Sequence, residues 1–294
     1  MSIEIQIIKV LFLFILAFIF TVSWTPLLTN FLYKYKLGKQ IRNSGDTPIF
    51  SKLHAHKAGT PTMGGVLIWG TVLFLIIIFY YLSLLFPGKL ISVFNFLTQK
   101  ETLLPLGALV ASALIGLVDD WLDIRKKGVF GGGGLKMRHR LLIYTLIAVI
   151  GALWFYFKLD WTTIHVPFLG YFEIGWWYIP VFIFVIVSTS FSVNETDGLD
   201  GLAGGTLLVS FASYGVISFV MGIYDLAAFC AVIIGALLAF LWFNIPPARF
   251  YMGDTGSMSL GITLGIIALL TNNVLILPFI GFIFLIESLS VIIQ

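Results

Sequence analysis

Acidic side chains that could hold a metal ion or a phosphate group stand beside apolar segments at three places in the sequence. Asp119 and Asp120 are adjacent and close one apolar segment, and Asp254 stands just before another. Asp197 and Asp200 follow a third segment, and their spacing places both on one face of a helical turn. Proteins usually hold Mg²⁺ with one or two carboxylates together with substrate phosphates. These acids therefore predict a metal or phosphate site, with solvated helix ends and helix capping by Asp254, Thr255 or Ser257 as the structural alternatives.

Amide and cationic side chains accompany the acids. Asn194 opens the string that contains the second pair of acids, and Asn244 opens the string that leads to Asp254. Lys57 lies just before a Thr-Pro pair and adds a cation suited to a phosphate or a diphosphate. Glycines within 198–205 allow the backbone to approach a ligand closely. Five polar side chains within the seven positions 194–200, between two apolar segments, favour a functional site over a plain loop.

The elements that position these residues are predicted to be membrane-spanning helices. Apolar residues make up 59% of the 294 positions and charged residues 11%, with a mean hydropathy of +1.03. A soluble domain has about 25% charged residues, so this composition excludes a water-soluble globule. The apolar runs are continuous rather than alternating, which excludes a β-barrel, and a net charge of +3 is too small to indicate a nucleic-acid partner.

Apolar windows of suitable length predict an all-α polytopic membrane protein with about nine transmembrane helices. The first window is interpreted as a retained span rather than a signal peptide, because no basic n-region or cleavage site accompanies it. The windows are Ile5–Thr25, Met63–Phe86, Thr102–Val118, Leu141–Phe157, Trp176–Val193, Leu202–Met221, Leu226–Phe243, Ser257–Leu270 and Val274–Ile293.

The charge pattern predicts which side of the membrane each loop faces. The connections Asn30–Thr62 and Asp119–Arg140 are the most basic, so the positive-inside rule places both in the cytoplasm and the N-terminus outside. Counting onward, the turns at 194–201 and 244–256 also fall on the cytoplasmic face. All the acids described above then lie on one side of the bilayer. Carboxylates crowded there are costly, so the cluster needs a cation or another strong partner.

The polar strings, taken in order from Lys57 to the end of the chain, resemble the polyprenyl-phosphate N-acetylhexosamine-1-phosphate transferases. The string Lys57–Gly65 is similar to the branch that transfers phospho-MurNAc-pentapeptide. The resemblance implies a multi-pass enzyme of the bacterial cytoplasmic membrane. In that reaction undecaprenyl phosphate attacks the β-phosphate of UDP-MurNAc-pentapeptide, with Mg²⁺ as cofactor, giving lipid I and UMP. A homodimer in the lipid bilayer is a further expectation from the family.

The resemblance also implies roles for individual residues. Asp254 corresponds to the Mg²⁺ ligand, and Asp119 to the acid that activates the lipid phosphate or helps to hold the metal, with Asp120 beside it. Tyr251 occupies the position of an aromatic residue that stacks on uracil. The remaining substrate-binding residues are implied to form the nucleotide pocket: Lys57, Asn194, Asp197, Asp200 and Asn244.

Departures from the family pattern leave alternatives open. Arg140 stands where the family often has Lys, Tyr251 where Phe is usual, and Glu195 and Asp123 are additional acids. These differences keep a UDP-GlcNAc:undecaprenyl-phosphate GlcNAc-1-phosphate transferase in consideration. A transporter would instead place its acids near span centres, and an inactive cell-wall scaffold is a further alternative. The family continues into a histidine-containing loop and a tenth helix, so 1–294 is expected to be a single membrane transferase domain without them.

The predicted orientation can be tested by cysteine labelling in intact cells. In a Lys36→Cys variant, a membrane-impermeant maleimide is expected to label position 36 only after the membrane is opened, because the basic loop faces the cytoplasm. Lys100→Cys is the matched control, since its loop is predicted to face outward and to react in intact cells. Labelling of position 36 from outside would overturn the topology.

Overall fold

The computed structural model describes residues 2–38, 59–86, 88–125 and 135–293, and it confirms the all-α prediction. Nine helices in these ranges correspond one to one with the predicted apolar windows. They are α1 (Ile3–Lys34), α2 (Val66–Leu85), α3 (Leu103–Ile124), α4 (Met137–Lys158), α5 (Tyr178–Thr196), α6 (Leu202–Val220), α7 (Tyr224–Asn244), α8 (Asp254–Leu270) and α9 (Phe282–Ile293).

The helices differ in how they meet the requirements for crossing a membrane. Within the described residues, α1 to α7 are long and apolar enough to span a bilayer. The segment Val274–Ile280 and α9 together meet the same criterion but are bent by 79°, which is the geometry of a broken span or of a re-entrant loop. Helix α8 has only 17 residues, which is short for an independent span. The structure therefore contains seven or eight long spans and a shorter central helix.

Helix α8 lies at the centre of the bundle. All 17 of its residues are buried, so it has no face toward lipid or water. It packs mainly between α3 and α5, with further contacts to α2 and α6. A helix that is apolar all round is stable only when protein surrounds it completely. This burial fixes the first residue of α8, Asp254, in the interior of the protein.

Glycines bring α2 and α3 against the start of α8. A Cβ atom on Gly65 would overlap the backbone of Gly256, and one on Gly116 would overlap the backbone of Asp254. Small residues at helix contacts permit this backbone-to-backbone packing in membrane proteins, where there is little hydrophobic force between helices. The sequence thus places Asp254 within reach of side chains at the end of α3.

A short β-hairpin joins α4 to α5, and the apolar windows did not predict it. Strand β1 (Thr163–Val166) pairs antiparallel with β2 (Gly170–Glu173), with Thr163 opposite Glu173. The side chain of Asn272 holds the hairpin to the bundle. It accepts a hydrogen bond from the His165 N–H at 3.0 Å and donates one to the Thr163 carbonyl at 3.3 Å.

A buried ion pair joins α1 to α7 at the end of the bundle remote from the acid strings. The Lys9 side chain is 4% exposed, and its Nζ contacts the Asp225 carboxylate and donates to the Asn95 carbonyl at 3.1 Å. Asp225 lies in the first turn of α7, whereas Asn244 ends the same helix at the acid strings. A lysine within a span requires such a partner, because an unpaired charge in the bilayer is costly.

This ion pair is expected to stabilise the packing of α1 on α7. Lys9→Met leaves the Asp225 carboxylate without its cation, and breaking a buried pair from one side costs about 3 kcal/mol. Partial exposure of Asp225, at 24%, lowers this cost. The free energy of unfolding, from SDS titration of the purified protein, is expected to fall for Lys9→Met and for Asp225→Asn.

The double variant Lys9→Met/Asp225→Asn separates the pair from the individual side chains. Its loss is expected to be smaller than the sum of the two single losses, because neither charge is left alone. Lys100→Met, an exposed lysine at the same end of the protein, is the control and is expected to change stability by less than about 0.5 kcal/mol. Additive losses would show that the ion pair contributes nothing.

Candidate active site

The side chain of Arg140 joins three of the predicted site residues. Its Nε donates to Asp119 Oδ2 at 2.9 Å, its Nη2 to Asp254 Oδ2 at 2.8 Å and its Nη1 to Asn194 Oδ1 at 3.1 Å. Asn194 in turn donates from Nδ2 to Asp254 Oδ1 at 2.7 Å and to Ser257 Oγ at 2.9 Å. The ends of α3, α4, α5 and α8 therefore meet in one network of hydrogen bonds and ion pairs.

Asp119 and Asp120 are fully buried, which excludes the interpretation as a solvated helix end. Successive residues of a helix point about 100° apart, so the two carboxylates face different neighbours. Asp119 faces Arg140 and also accepts the backbone N–H of Leu135. Asp120 faces the start of α8, where it accepts the N–H of Thr255 at 3.1 Å. The adjacent acids thus serve two separate parts of the site.

Asp120 stabilises the N-terminus of α8 from a neighbouring helix. Besides Thr255, its carboxylate accepts a hydrogen bond from Thr62 Oγ1 at 3.2 Å. Negative charge at this position pairs with the free N–H groups and with the positive end of the helix dipole. The N-cap residue of α8 is Gly253, which makes no side-chain capping bond, so the capping alternative for Asp254 is not what the structure shows.

Asp197 and Asp200 hold the loop before α8 through its backbone. Asp197 Oδ2 accepts the Gly253 N–H at 2.9 Å, and Asp200 Oδ2 accepts the Ala248 N–H at 3.3 Å. Gly253 has a φ of 74°, and a Cβ there would overlap the Asp120 carboxylate. Glycine is therefore required at this position for both conformation and space.

Asn244 joins the loop that contains Asp197 and Asp200 to the loop before α8. Its Oδ1 accepts the Gly201 N–H at 2.9 Å, and its Nδ2 donates to the Phe250 carbonyl at 2.8 Å. In the structure, Asn244 and the acids at 197 and 200 therefore bond to loop backbone. These contacts fix the loop that carries Tyr251, and a role in substrate binding stays a prediction for all three.

Tyr251 connects the loop before α8 to the segment before α2. Its N–H donates to the Pro61 carbonyl at 2.8 Å, and its carbonyl accepts the Gly64 N–H at 2.8 Å. The ring is half-buried, and burial together with the negative charge of Asp200 raises the pKa of the Tyr251 phenol to about 12. The phenol is therefore protonated throughout the physiological pH range.

The described part of the chain thus brings Asp119, Asp120, Asn194 and Asp254 together, and holds Asp197, Asp200, Asn244 and Tyr251 in the adjoining loops. Lys57, the remaining predicted site residue, lies outside the described residues. Arg140 was not among the predicted site residues, because in the sequence it stands out only as a loop charge and as a departure from the family pattern. The available signal was its position as the last basic residue before an apolar segment.

The site residues fit a divalent cation that keeps water and substrate ligands. Buried carboxylate oxygens of Asp119 and Asp254 and the amide oxygen of Asn194 surround the same guanidinium. Among the described residues, no three His, Cys, Asp or Glu side chains lie close enough to hold a metal by themselves. One or two carboxylates completed by water and phosphate are the usual surroundings of protein-bound Mg²⁺.

Comparison with known proteins gives consistent matches. The model of glycosyl transferase family 4 matches residues 102–272, and phospho-N-acetylmuramoyl-pentapeptide-transferase signature 1 matches residues 57–68. The phospho-N-acetylmuramoyl-pentapeptide-transferase of Chloroflexus aggregans is 39% identical over 288 residues, covering 95% of this chain and 72% of that protein. The proteins of the same name from Geobacillus sp. (38% over 285 residues) and Listeria monocytogenes (36% over 282 residues) each match over 81% of their length, and they cover 95% and 96% of this chain.

Proposed function

The chain belongs to glycosyl transferase family 4 and, within it, to the phospho-N-acetylmuramoyl-pentapeptide-transferases, and from this premise we propose how its site works. It is a multi-pass transferase of bacterial peptidoglycan synthesis, located in the inner membrane. The family depends on a divalent metal and on lipid substrates, and for this chain we propose Mg²⁺ and undecaprenyl phosphate.

The proposed reaction is transfer of phospho-MurNAc-pentapeptide from its UDP donor. An oxygen of undecaprenyl phosphate bonds to the β-phosphorus of UDP-MurNAc-pentapeptide, the bond between that phosphorus and the bridging oxygen breaks, and UMP leaves. The products are lipid I and UMP. The signature match at residues 57–68 and the names of the relatives favour this donor over UDP-GlcNAc. A homodimer is proposed from the family alone.

The observation that carries the proposal is that Asp119, Asp254 and Asn194 all bond to the Arg140 guanidinium at the buried start of α8. Phosphoryl transfer depends mainly on positioning and on neutralisation of phosphate charge. A bound Mg²⁺ would supply Lewis-acid stabilisation of that charge, with Asp254 as its principal ligand and Asp119 as the second carboxylate.

Asp119 is proposed to hold and position groups rather than to act as a base. A phosphate monoester has a second pKa of about 6, so the lipid phosphate is already ionised at neutral pH and needs no proton removed. Both oxygens of the Asp119 carboxylate also accept hydrogen bonds, Oδ1 from the Leu135 N–H and Oδ2 from Arg140, so the side chain is held in place by its neighbours.

The nucleotide is proposed to bind over the loops next to this centre. Tyr251, half-buried on its loop, would stack on the uracil ring, and Lys57 would contact the diphosphate. Asp197, Asp200 and Asn244 keep that loop in place through its backbone. Their contribution to substrate binding would therefore include the preorganisation of the pocket.

The decisive assay is Mg²⁺-dependent UMP release by the detergent-purified chain with undecaprenyl phosphate and one donor at a time. UMP release from UDP-MurNAc-pentapeptide alone is expected. Asp254→Asn is expected to lower kcat about 100-fold or more, because it removes the charge that binds the metal. Asp123→Asn, an acid at the end of the same α3 helix as Asp119, is the control and is expected to retain activity. Release from UDP-GlcNAc alone would overturn the donor assignment.

Tyr251 is expected to act through its ring and not through its ionisation. Tyr251→Ala should raise KM for the UDP donor by roughly 10-fold, since base stacking on an aromatic side chain contributes about 1–3 kcal/mol. Tyr251→Phe keeps the ring and should leave KM within a factor of about 2. Because the pKa of the phenol is about 12, loss of its proton cannot affect rates below pH 10, so Tyr251→Phe should leave the alkaline side of the pH–rate profile unchanged. A shifted alkaline side would contradict this assignment.

A further inference from the structure

We infer that the Arg140 guanidinium is the built-in counter-ion of the metal site. It bonds to both Asp119 and Asp254, and it gives up Asp254 when a divalent cation binds. The inference rests on the proposed function in taking Asp254 as the metal ligand. It adds that metal binding is an exchange of one cation for another, and that Arg140 is then available to a substrate phosphate.

The geometry places Arg140 in competition with a metal for the same atoms. Three of its nitrogen atoms bond to three separate acceptors, namely Asp119 Oδ2, Asp254 Oδ2 and Asn194 Oδ1, at 2.8–3.1 Å. These are the oxygens that fit the proposed cation. An arginine and a divalent cation that share a carboxylate oxygen repel each other, so each weakens the binding of the other.

The exposure of the side chains indicates which group moves. The Asp119 and Asp254 side chains are 0% and 5% exposed, whereas that of Arg140 is 19% exposed. The other oxygen of Asp254, Oδ1, stays bonded to the Asn194 amide. The acids are therefore fixed in the interior, and Arg140 is the partly exposed member of the ion pairs.

The charges explain why the exchange is coupled to substrate. Two carboxylates and one guanidinium carry a formal charge of −1, and a divalent cation changes this to +1. A phosphate oxyanion restores the balance, and a guanidinium released from a carboxylate binds phosphate with two parallel hydrogen bonds. The phosphate could belong to the polyprenyl phosphate or to the diphosphate of the donor, and the experiment below distinguishes these sources.

The first measurement is metal binding without turnover. Mn²⁺ is titrated into the purified full chain and the free ion is quantified by electron paramagnetic resonance. Removing an opposite charge next to a carboxylate changes its affinity for a cation by about tenfold or more. Arg140→Gln is therefore expected to bind Mn²⁺ about tenfold more tightly than the unchanged protein. Arg138→Gln removes an exposed arginine from the same helix and is expected to leave the affinity unchanged.

Arg140→Lys provides a second, independent test of the inference and is the variant to use if Arg140→Gln does not fold. It keeps the charge, but an ammonium group cannot span both carboxylates and Asn194 in the way a guanidinium fork does. A severalfold gain in Mn²⁺ affinity is expected. Unchanged or weaker Mn²⁺ binding in either folded variant would overturn the inference.

The second measurement repeats the Mn²⁺ titration with a short-chain polyprenyl phosphate, with UDP or with inorganic phosphate. In the unchanged protein the phosphate that receives Arg140 is expected to tighten Mn²⁺ binding, and Arg140→Gln is expected to reduce this gain. The ligand whose effect on Mn²⁺ affinity falls most in Arg140→Gln identifies the phosphate that Arg140 binds. An equal gain in both proteins for all three ligands would overturn the exchange with phosphate.

These outcomes are separable from failure of the proposed function, because Mn²⁺ binding requires neither a sugar donor nor turnover. An enzyme that proves to use UDP-GlcNAc would still show the exchange. An enzyme with the expected donor but with unchanged Mn²⁺ binding in the Arg140 variants would retain its proposed function and lose this inference.

Discussion

Two buried carboxylates, those of Asp119 and Asp254, require a positive charge nearby. This requirement organises the end of the bundle that carries the candidate active site. Asp119 and Asp254 are almost completely inaccessible to water, and an isolated ionised carboxylate in such a place is strongly destabilised. Arg140 supplies positive charge to both, and the Asn194 amide donates a hydrogen bond to Asp254. Because these groups come from α3, α4, α5 and α8, neutralising the acids also fixes the ends of four helices relative to one another.

This arrangement is possible only because the helix backbones approach closely around α8. Gly116 of α3 lies against the backbone of Asp254, and Gly65 lies against Gly256. A larger residue at either glycine would move α8 away from its neighbours and lengthen the short bonds of the network. Asp120, four positions after Gly116 in α3, contributes to the same geometry, since its carboxylate accepts the Thr255 N–H and holds the start of α8. One pair of adjacent acids thus provides a carboxylate that we propose as a metal ligand and another that bonds to the start of α8.

The sequence predicted the spans and the grouping of the acids, because both follow from simple physical rules. Long apolar runs require helices in a bilayer, and the charge of the basic loops predicts that the acid strings share one face. The role of Arg140 could not be predicted in this way, since a basic residue at a membrane boundary has the same local signature whether it faces water or a carboxylate. The bonds from Asp197 and Asn244 to loop backbone depend on tertiary pairing that the spacing of residues does not encode. The β-hairpin escaped prediction because its four-residue strands lie between apolar windows.

The network separates the positioning of Asp254 from the balance of its charge. One carboxylate oxygen bonds to the neutral amide of Asn194, which has no charge that would repel an incoming cation. The other oxygen bonds to the charged and partly exposed Arg140. A neutral partner can stay in place while the ionic partner changes, so the carboxylate keeps its orientation when its counter-ion is exchanged. If a second arginine replaced the amide, a divalent cation would meet repulsion from both sides. If a second amide replaced Arg140, the buried charge would be left unbalanced in the absence of metal. The combination of one amide and one arginine satisfies both requirements, which is why we attribute a role in metal exchange to Arg140 rather than a purely structural one.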